Sequence, residues 1–113
     1  MAAKTAILMK AHTFADMGMT ETAQPLWAVA ASHEERIASR LDALGRKLEA
    51  AASRISASSC YQKGGDLSRA ANLYQAALAA PLRPPTRRDI EGMLAGCLDE
   101  LSRTALNGPS SLG

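Results

Sequence analysis

The sequence predicts an all-α fold, and three observations support this class. Alanine and leucine supply most of the apolar content, β-branched residues are scarce, and no stretch alternates apolar with polar residues as a half-buried strand would. With 113 residues and 47% hydrophobic content, the chain suits one small domain. We expect about five antiparallel helices in a single domain over residues 1–106, followed by a disordered tail over residues 107–113.

The net charge and the two cysteines limit the classes of function that the sequence allows. A formal charge of +2 is small for a domain that must neutralise many phosphates, so nucleic acid is disfavoured as a partner. No apolar run reaches the roughly 18 residues that a membrane span needs. Cys60 and Cys97 lack the spacing of a metal site and are expected to be reduced, which favours a cytoplasmic location.

The first two helices are predicted from apolar spacing and from residues that end or cap a helix. Residues 3–17 carry apolar side chains at helical intervals, and Gly18 can leave the helix with positive φ. Thr20 or Thr22 can cap the second helix. Pro25 is tolerated only near the first turn, where its missing N–H is little needed.

A long central helix is predicted over residues 33–63. Ser32 and Glu35 have the spacing of a capping box, which would start a new helix, and Gly45 is expected to weaken that helix without ending it. Its apolar side chains recur with a heptad spacing, which fits either packing within the domain or a self-association seam shared with a second copy. The seam residues are Ile37, Leu41, Leu44 and Leu48.

The remaining two helices follow clear boundaries. Gly64 and Gly65 end the third helix, and Asp66 caps the fourth. Prolines at positions 81, 84 and 85 end the fourth helix. The fifth begins at Thr86, with Asp89 three residues later as a weaker capping box.

Two parts of the chain repeat one order of small and aromatic residues at an offset of 47 positions. The small residues allow two helices of a hairpin to approach closely, while the aromatic residues fill the space between hairpins. The matched pairs are Phe14 with Tyr61, Gly18 with Gly65, Ala23 with Ala70, Trp27 with Tyr74, and Ala30 with Ala77.

This order resembles the tetratricopeptide repeat over residues 4–31 and 51–81. The better copy comprises Ser58, Tyr61, Gly65, Asp66, Ala70, Tyr74, Ala77, Leu78 and Pro81. The offset exceeds the family period of about 34 residues, and the extra length falls in the predicted central helix. The resemblance implies a non-catalytic adaptor or scaffold, with a protein or peptide bound along the first helix of each hairpin. The corresponding partner-binding residues are His12, Asp16, Ser59, Gln62 and Lys63.

Two alternatives accompany the adaptor hypothesis. In the first alternative, the chain is a self-associating structural protein that forms a homodimer through the central helix. More weakly, Arg83, Arg87 and Arg88 lie near the start of a predicted helix, where backbone N–H groups favour anions, so the chain could be a small regulatory nucleic-acid binder. The ordinary interpretation of these arginines is a solvated loop.

No residue pattern indicates catalysis, a metal or a cofactor. His12 and Asp16 lie one helical turn apart, which is ordinarily an exposed helix pair. Cys60 lies near Lys63 but is expected to be a buried thiol rather than a nucleophile. No phosphate-binding loop or nucleophile elbow is present. We therefore expect a protein that is not an enzyme and needs no cofactor.

Overall fold

The computed structural model describes residues 20–107, with side chains described for residues 23–105. This part of the chain contains four helices and no strand, which confirms the all-α class. The helices are α1 (Thr20–Ala43), α2 (Lys47–Lys63), α3 (Leu67–Leu78) and α4 (Pro84–Asn107). The helix predicted over residues 3–17 lies outside the described residues, as does the predicted tail apart from Asn107, which belongs to α4.

The predicted start of a helix after Ser32 is wrong, because α1 continues through it from Thr20 to Ala43. The side chain of Glu35 does not cap a helix start. It accepts a hydrogen bond from the hydroxyl of Tyr61 on α2 instead. A capping pattern inside a long helix can serve a tertiary contact when its acidic residue faces a neighbouring helix.

The predicted single helix over residues 33–63 is also wrong, because a turn at residues 44–46 divides it. Gly45 has a φ of 78°, in the left-handed region that glycine adopts at little cost. The backbone N–H of Arg46 donates to the carbonyl of Leu41 at 2.8 Å, and that of Gly45 donates to Asp42 at 2.9 Å. These two bonds satisfy carbonyls at the end of α1 in a Schellman turn, so the chain reverses there.

A turn of the same type joins α2 to α3, at the position that the sequence predicts. Gly65 has a φ of 87°, and the N–H of Asp66 donates to the carbonyl of Tyr61 at 2.8 Å. The Asp66 side chain accepts a hydrogen bond from the backbone N–H of Arg69 at 3.2 Å, which caps α3. Gly64 lies against α1, since a Cβ there would be 3.3 Å from the Gln24 carbonyl oxygen.

Turn glycines and buried alanines recur at a short sequence interval along α1, α2 and α3. The two positive-φ glycines are 20 positions apart, and buried alanine pairs recur at the same interval. These alanines are at most 4% exposed and allow the helix axes to approach closely. The pairs are Ala30 with Ala31, Ala50 with Ala51, and Ala70 with Ala71. The described turns therefore follow an interval much shorter than the 47 positions that separate the aromatic residues.

The helices stack in chain order, each packing mainly on the next. The resulting body is elongated, with principal extents of 47 × 30 × 24 Å. Its core joins all four helices through one cluster that includes Trp27, Tyr61, Tyr74, Ile90 and Cys97. Since α1 through α3 bury alanines where they meet, the larger side chains of the cluster, including the rings of Trp27, Tyr61 and Tyr74, fill the space between the helices.

Candidate functional site

An open groove of about 560 Å³ lies between α1 and the start of α3, above Tyr61 near the end of α2. We call it the Tyr61 groove. Its α1 wall follows helical spacing, with side chains from three successive turns facing the same side. The lining residues are Ser32, Glu35, Arg36, Ser39, Arg40, Tyr61 and Arg69.

Tyr61 holds the floor of the groove. Its hydroxyl donates a hydrogen bond to Glu35 Oε1, while Arg69 Nη1 donates to the same hydroxyl oxygen across 3.4 Å. The Arg69 guanidinium also lies 5.5 Å from the centre of the Tyr61 ring. Burial raises the pKa of Tyr61, and the hydrogen bond to Glu35 raises it further. One polar link thus connects α1, α2 and α3.

Positive charge dominates the groove lining, which contains three arginines and one carboxylate. Arg36 Nη2 lies 3.1 Å from His33 Nδ1, and Arg69 Nε lies 3.4 Å from Asp66 Oδ2. Arg40 is exposed and makes no ion pair or hydrogen bond with the part of the chain that the structure describes. The guanidinium groups on the α1 wall can therefore contact a bound molecule.

None of the predicted partner-binding residues that the structure describes lines this groove. His12 and Asp16 lie outside the described residues. Ser59 is half-buried, and Gln62 Oε1 accepts a hydrogen bond from the Tyr74 hydroxyl at 3.0 Å. Lys63 Nζ lies 4.9 Å from the centre of the Trp27 ring. Gln62 and Lys63 thus contribute to contacts between helices.

The predicted anion-binding arginines do not act as one group. Arg83 and Arg88 are exposed, but Arg87 Nη1 donates to the carbonyl of Leu78 and Nη2 to that of Ala80, both at 2.9 Å. Arg87 therefore satisfies carbonyls at the end of α3. In addition, α4 begins at Pro84 rather than Thr86, so the predicted cap lies inside the helix.

The predicted self-association seam does not run along one helix. Ile37 and Leu41 are half-buried on α1, Leu44 lies in the turn, and Leu48 is in the first turn of α2. Leu44 is 72% exposed and Leu48 is 54% exposed. The four side chains therefore divide into a packed pair and an exposed pair at the corner between the two helices.

The two cysteines are both buried and are not joined to each other by a disulfide. Cys97 Sγ donates to the carbonyl of Leu67 at 3.3 Å, and burial raises the pKa of this thiol. A thiol whose pKa is raised is a poor nucleophile at neutral pH. Within residues 20–107, no group of three or more histidine, cysteine or acidic side chains could hold a metal ion.

The Tyr61 groove is not predicted from the sequence. The sequence predicts Tyr61 as a repeat aromatic and Glu35 as part of a capping box. The available signal was the spacing of Arg36 and Arg40, four residues apart, which places both on one helix face. Their position opposite Arg69 depends on two turns: the turn at Gly45 brings α2 back along α1, and the turn at Gly65 brings α3 back along α2.

None of the described helices is long and apolar enough to cross a membrane. Comparison of the chain with protein-family models, with curated proteins and with solved structures gives no match. In the part of the chain that the structure describes, the helices stack in chain order and leave a basic groove open between α1 and α3.

Proposed function

We propose that this chain is a non-catalytic, cytoplasmic interaction module of tetratricopeptide-like helices that binds a protein or peptide partner in the Tyr61 groove. The observation that carries the proposal is the contrast within the groove. Its floor is fixed by the link between Tyr61, Glu35 and Arg69, whereas Arg36 and Arg40 on its rim are exposed. The fixed floor needs little ordering on binding, and the exposed arginines on the rim are accessible to a partner.

The stacking order supports this function. When each helix packs mainly on its neighbours in the chain, the other faces of the stack stay open along its length. Such extended surfaces suit elongated partners such as peptide segments. The buried alanine pairs make the stack close-packed, so the groove walls keep their separation.

A groove-blocking substitution tests the proposal. Ser39 is exposed and lines the groove, so Ser39→Trp fills the space that a partner needs. Ser102 is exposed on α4, which packs on α3 rather than on α1, so Ser102→Trp is the matched control. In affinity capture with the full chain, we expect the wild type and Ser102→Trp to retain the same partner and Ser39→Trp to lose it. Capture that returns no partner, or that Ser39→Trp leaves unchanged, would refute the proposal.

Self-association is the alternative function, and the exposure of Leu44 and Leu48 favours it. Leu44 in the turn and Leu48 at the start of α2 each expose apolar surface near the α1–α2 corner, which a second copy could cover. Light scattering of the full chain over a range of concentrations tests this. A dimer that Leu44→Ser with Leu48→Ser converts to monomer would support the alternative, and a strict monomer at high concentration would exclude it.

A further inference from the structure

We infer that the Tyr61 groove selects an acidic peptide segment, one that presents several Asp or Glu side chains. This inference rests on the proposed function and specifies the chemistry of the partner. It follows from the charge of the lining, the size of the groove and the burial of its aromatic ring.

The lining of the Tyr61 groove carries little negative charge. Glu35 is the single carboxylate among the lining residues, and it accepts the hydrogen bond of Tyr61 near the Arg69 guanidinium. Its charge is therefore partly compensated within the protein. Arg36 and Arg40 are exposed on the α1 wall and have no carboxylate partner among the described residues. The groove thus presents uncompensated positive charge to an incoming segment.

The α1 wall of the groove presents hydrogen-bond donors that suit carboxylates. Guanidinium groups bind carboxylates through paired N–H donors, and these charge-assisted bonds are stronger than neutral ones. Arg36 and Arg40 lie one helical turn apart, a spacing of about 6 Å, which suits side chains of one peptide rather than a single small anion. The exposed hydroxyl groups of Ser32 and Ser39 add further donors on the same wall.

The volume of the groove and the burial of Tyr61 further restrict the class of ligand. At about 560 Å³, the groove is large for one phosphate ion and comparable to clefts that hold several ligand groups. Proteins that bind single-stranded nucleic acid stack bases on exposed aromatic rings. Tyr61 is only 3% exposed and already contacts Arg69, so it offers no such surface. These features favour an acidic peptide over nucleic acid.

Fluorescence anisotropy with a labelled oligoglutamate peptide tests the inference, with oligoglutamine as the uncharged probe. The groove variant is Arg36→Gln with Arg40→Gln. The matched control is Arg83→Gln with Arg88→Gln, which removes the same charge from exposed positions outside the groove. We expect the groove variant to lose affinity for oligoglutamate at least about tenfold, and the control to lose less than about twofold. Oligoglutamine should bind none of the three proteins.

Several results would overturn the inference. They are absence of oligoglutamate binding to the wild type, an equal loss in the control variant, and tighter binding of a single-stranded oligonucleotide than of oligoglutamate at the groove. Circular dichroism of each variant confirms that the exposed substitutions leave the helices intact. If Ser39→Trp still abolishes capture of a partner while oligoglutamate does not bind, the acidic preference fails and the proposed function stands. If oligoglutamate binds at the groove but capture returns no partner, the proposed function fails and the acidic preference stands.

Discussion

The hydroxyl of Tyr61 donates a hydrogen bond to Glu35, which lies 26 positions earlier on α1. Arg69 on α3 contacts the same hydroxyl, so three successive helices meet at one polar atom. These helices also meet through buried alanines, whose contacts are close but not directional. The Tyr61 link therefore contributes to the relative orientation of α1 and α3, the two walls of the groove.

Replacing Tyr61 with Phe tests the energetic contribution of this link. We expect Tyr61→Phe to lower the free energy of unfolding by about 1 to 1.5 kcal/mol, because it removes a hydrogen bond to a charged group while the half-exposed Glu35 regains water. Urea unfolding followed by the fluorescence of Trp27, the single tryptophan, measures the change.

The same substitution at the other tyrosine provides the control. Tyr74 donates to the neutral amide oxygen of Gln62 at 3.0 Å, so Tyr74→Phe should cost less, about 0.5 kcal/mol. Equal losses for the two variants would show that the charge of Glu35 adds nothing to the Tyr61 bond.

The two tyrosines also predict a loss of stability at alkaline pH. Burial raises the pKa of Tyr61, assisted by Glu35, and burial likewise raises the pKa of Tyr74 above the ordinary value of 10.0. A pKa that is higher in the folded state stabilises the fold at pH values below the unfolded pKa. This contribution is lost as pH rises through the folded value.

Titration of tyrosinate absorbance measures this effect directly. In the folded chain we expect both tyrosines to ionise above their ordinary pKa, with unfolding accompanying the ionisation. In concentrated urea both should return to about 10. Ionisation of either residue at its ordinary pKa in a chain that is still folded would contradict the prediction.

The hairpin formed by α2 and α3 could be predicted from sequence because local signals determine it. Gly64 and Gly65 end α2, Asp66 caps α3, and the structure has each feature at the predicted position. Gly45, a lone glycine, is a weaker signal for a turn. A lone glycine costs a helix only about 1 kcal/mol, so sequence alone cannot distinguish a tolerated glycine from a turn. Here the Schellman bonds and packing of α2 on α1 favour the turn.

The groove depends on contacts that local patterns do not contain. Glu35 matches a capping box within its own segment, yet its partner Tyr61 comes from another helix. Arg87 resembles a free cation near a helix start, yet its guanidinium binds carbonyls at the end of α3. In both cases a long side chain forms a hydrogen bond with a group on another part of the chain, which a turn brings close to it. Such partners become visible only once the turns are placed.

Replacing the buried Ser58 with alanine is expected to stabilise the fold. Its side chain is fully buried, and its Oγ has no hydrogen-bond partner within the described part of the chain. Burying an unsatisfied hydroxyl costs free energy, and alanine also has a higher helix propensity than serine. We expect Ser58→Ala to raise the free energy of unfolding by about 0.5 to 1 kcal/mol, measured by urea unfolding. The neighbouring half-buried Ser59→Ala should change it less, and a destabilised Ser58→Ala would indicate a hydrogen bond through water.

The glycines divide into positions where alanine should stabilise and positions where it should not. Gly96 lies within α4, and nothing lies within 4 Å of where its Cβ would be. Alanine reduces the backbone entropy lost on folding, so Gly96→Ala should raise the free energy of unfolding by about 0.5 to 1 kcal/mol.

Gly64 is the counterpart, because an added Cβ would lie 3.3 Å from both the Gln24 carbonyl oxygen and Trp27 Cβ. Both atoms belong to or adjoin the backbone of α1 and cannot move without shifting that helix. We therefore expect Gly64→Ala to lower the free energy of unfolding by about 1 kcal/mol or more, even though the backbone conformation at Gly64 is helical. Thermal unfolding of the two variants beside the wild type measures both effects. Opposite shifts in midpoint are expected, and a stabilised Gly64→Ala would show that α1 and α2 are not in close contact at this position.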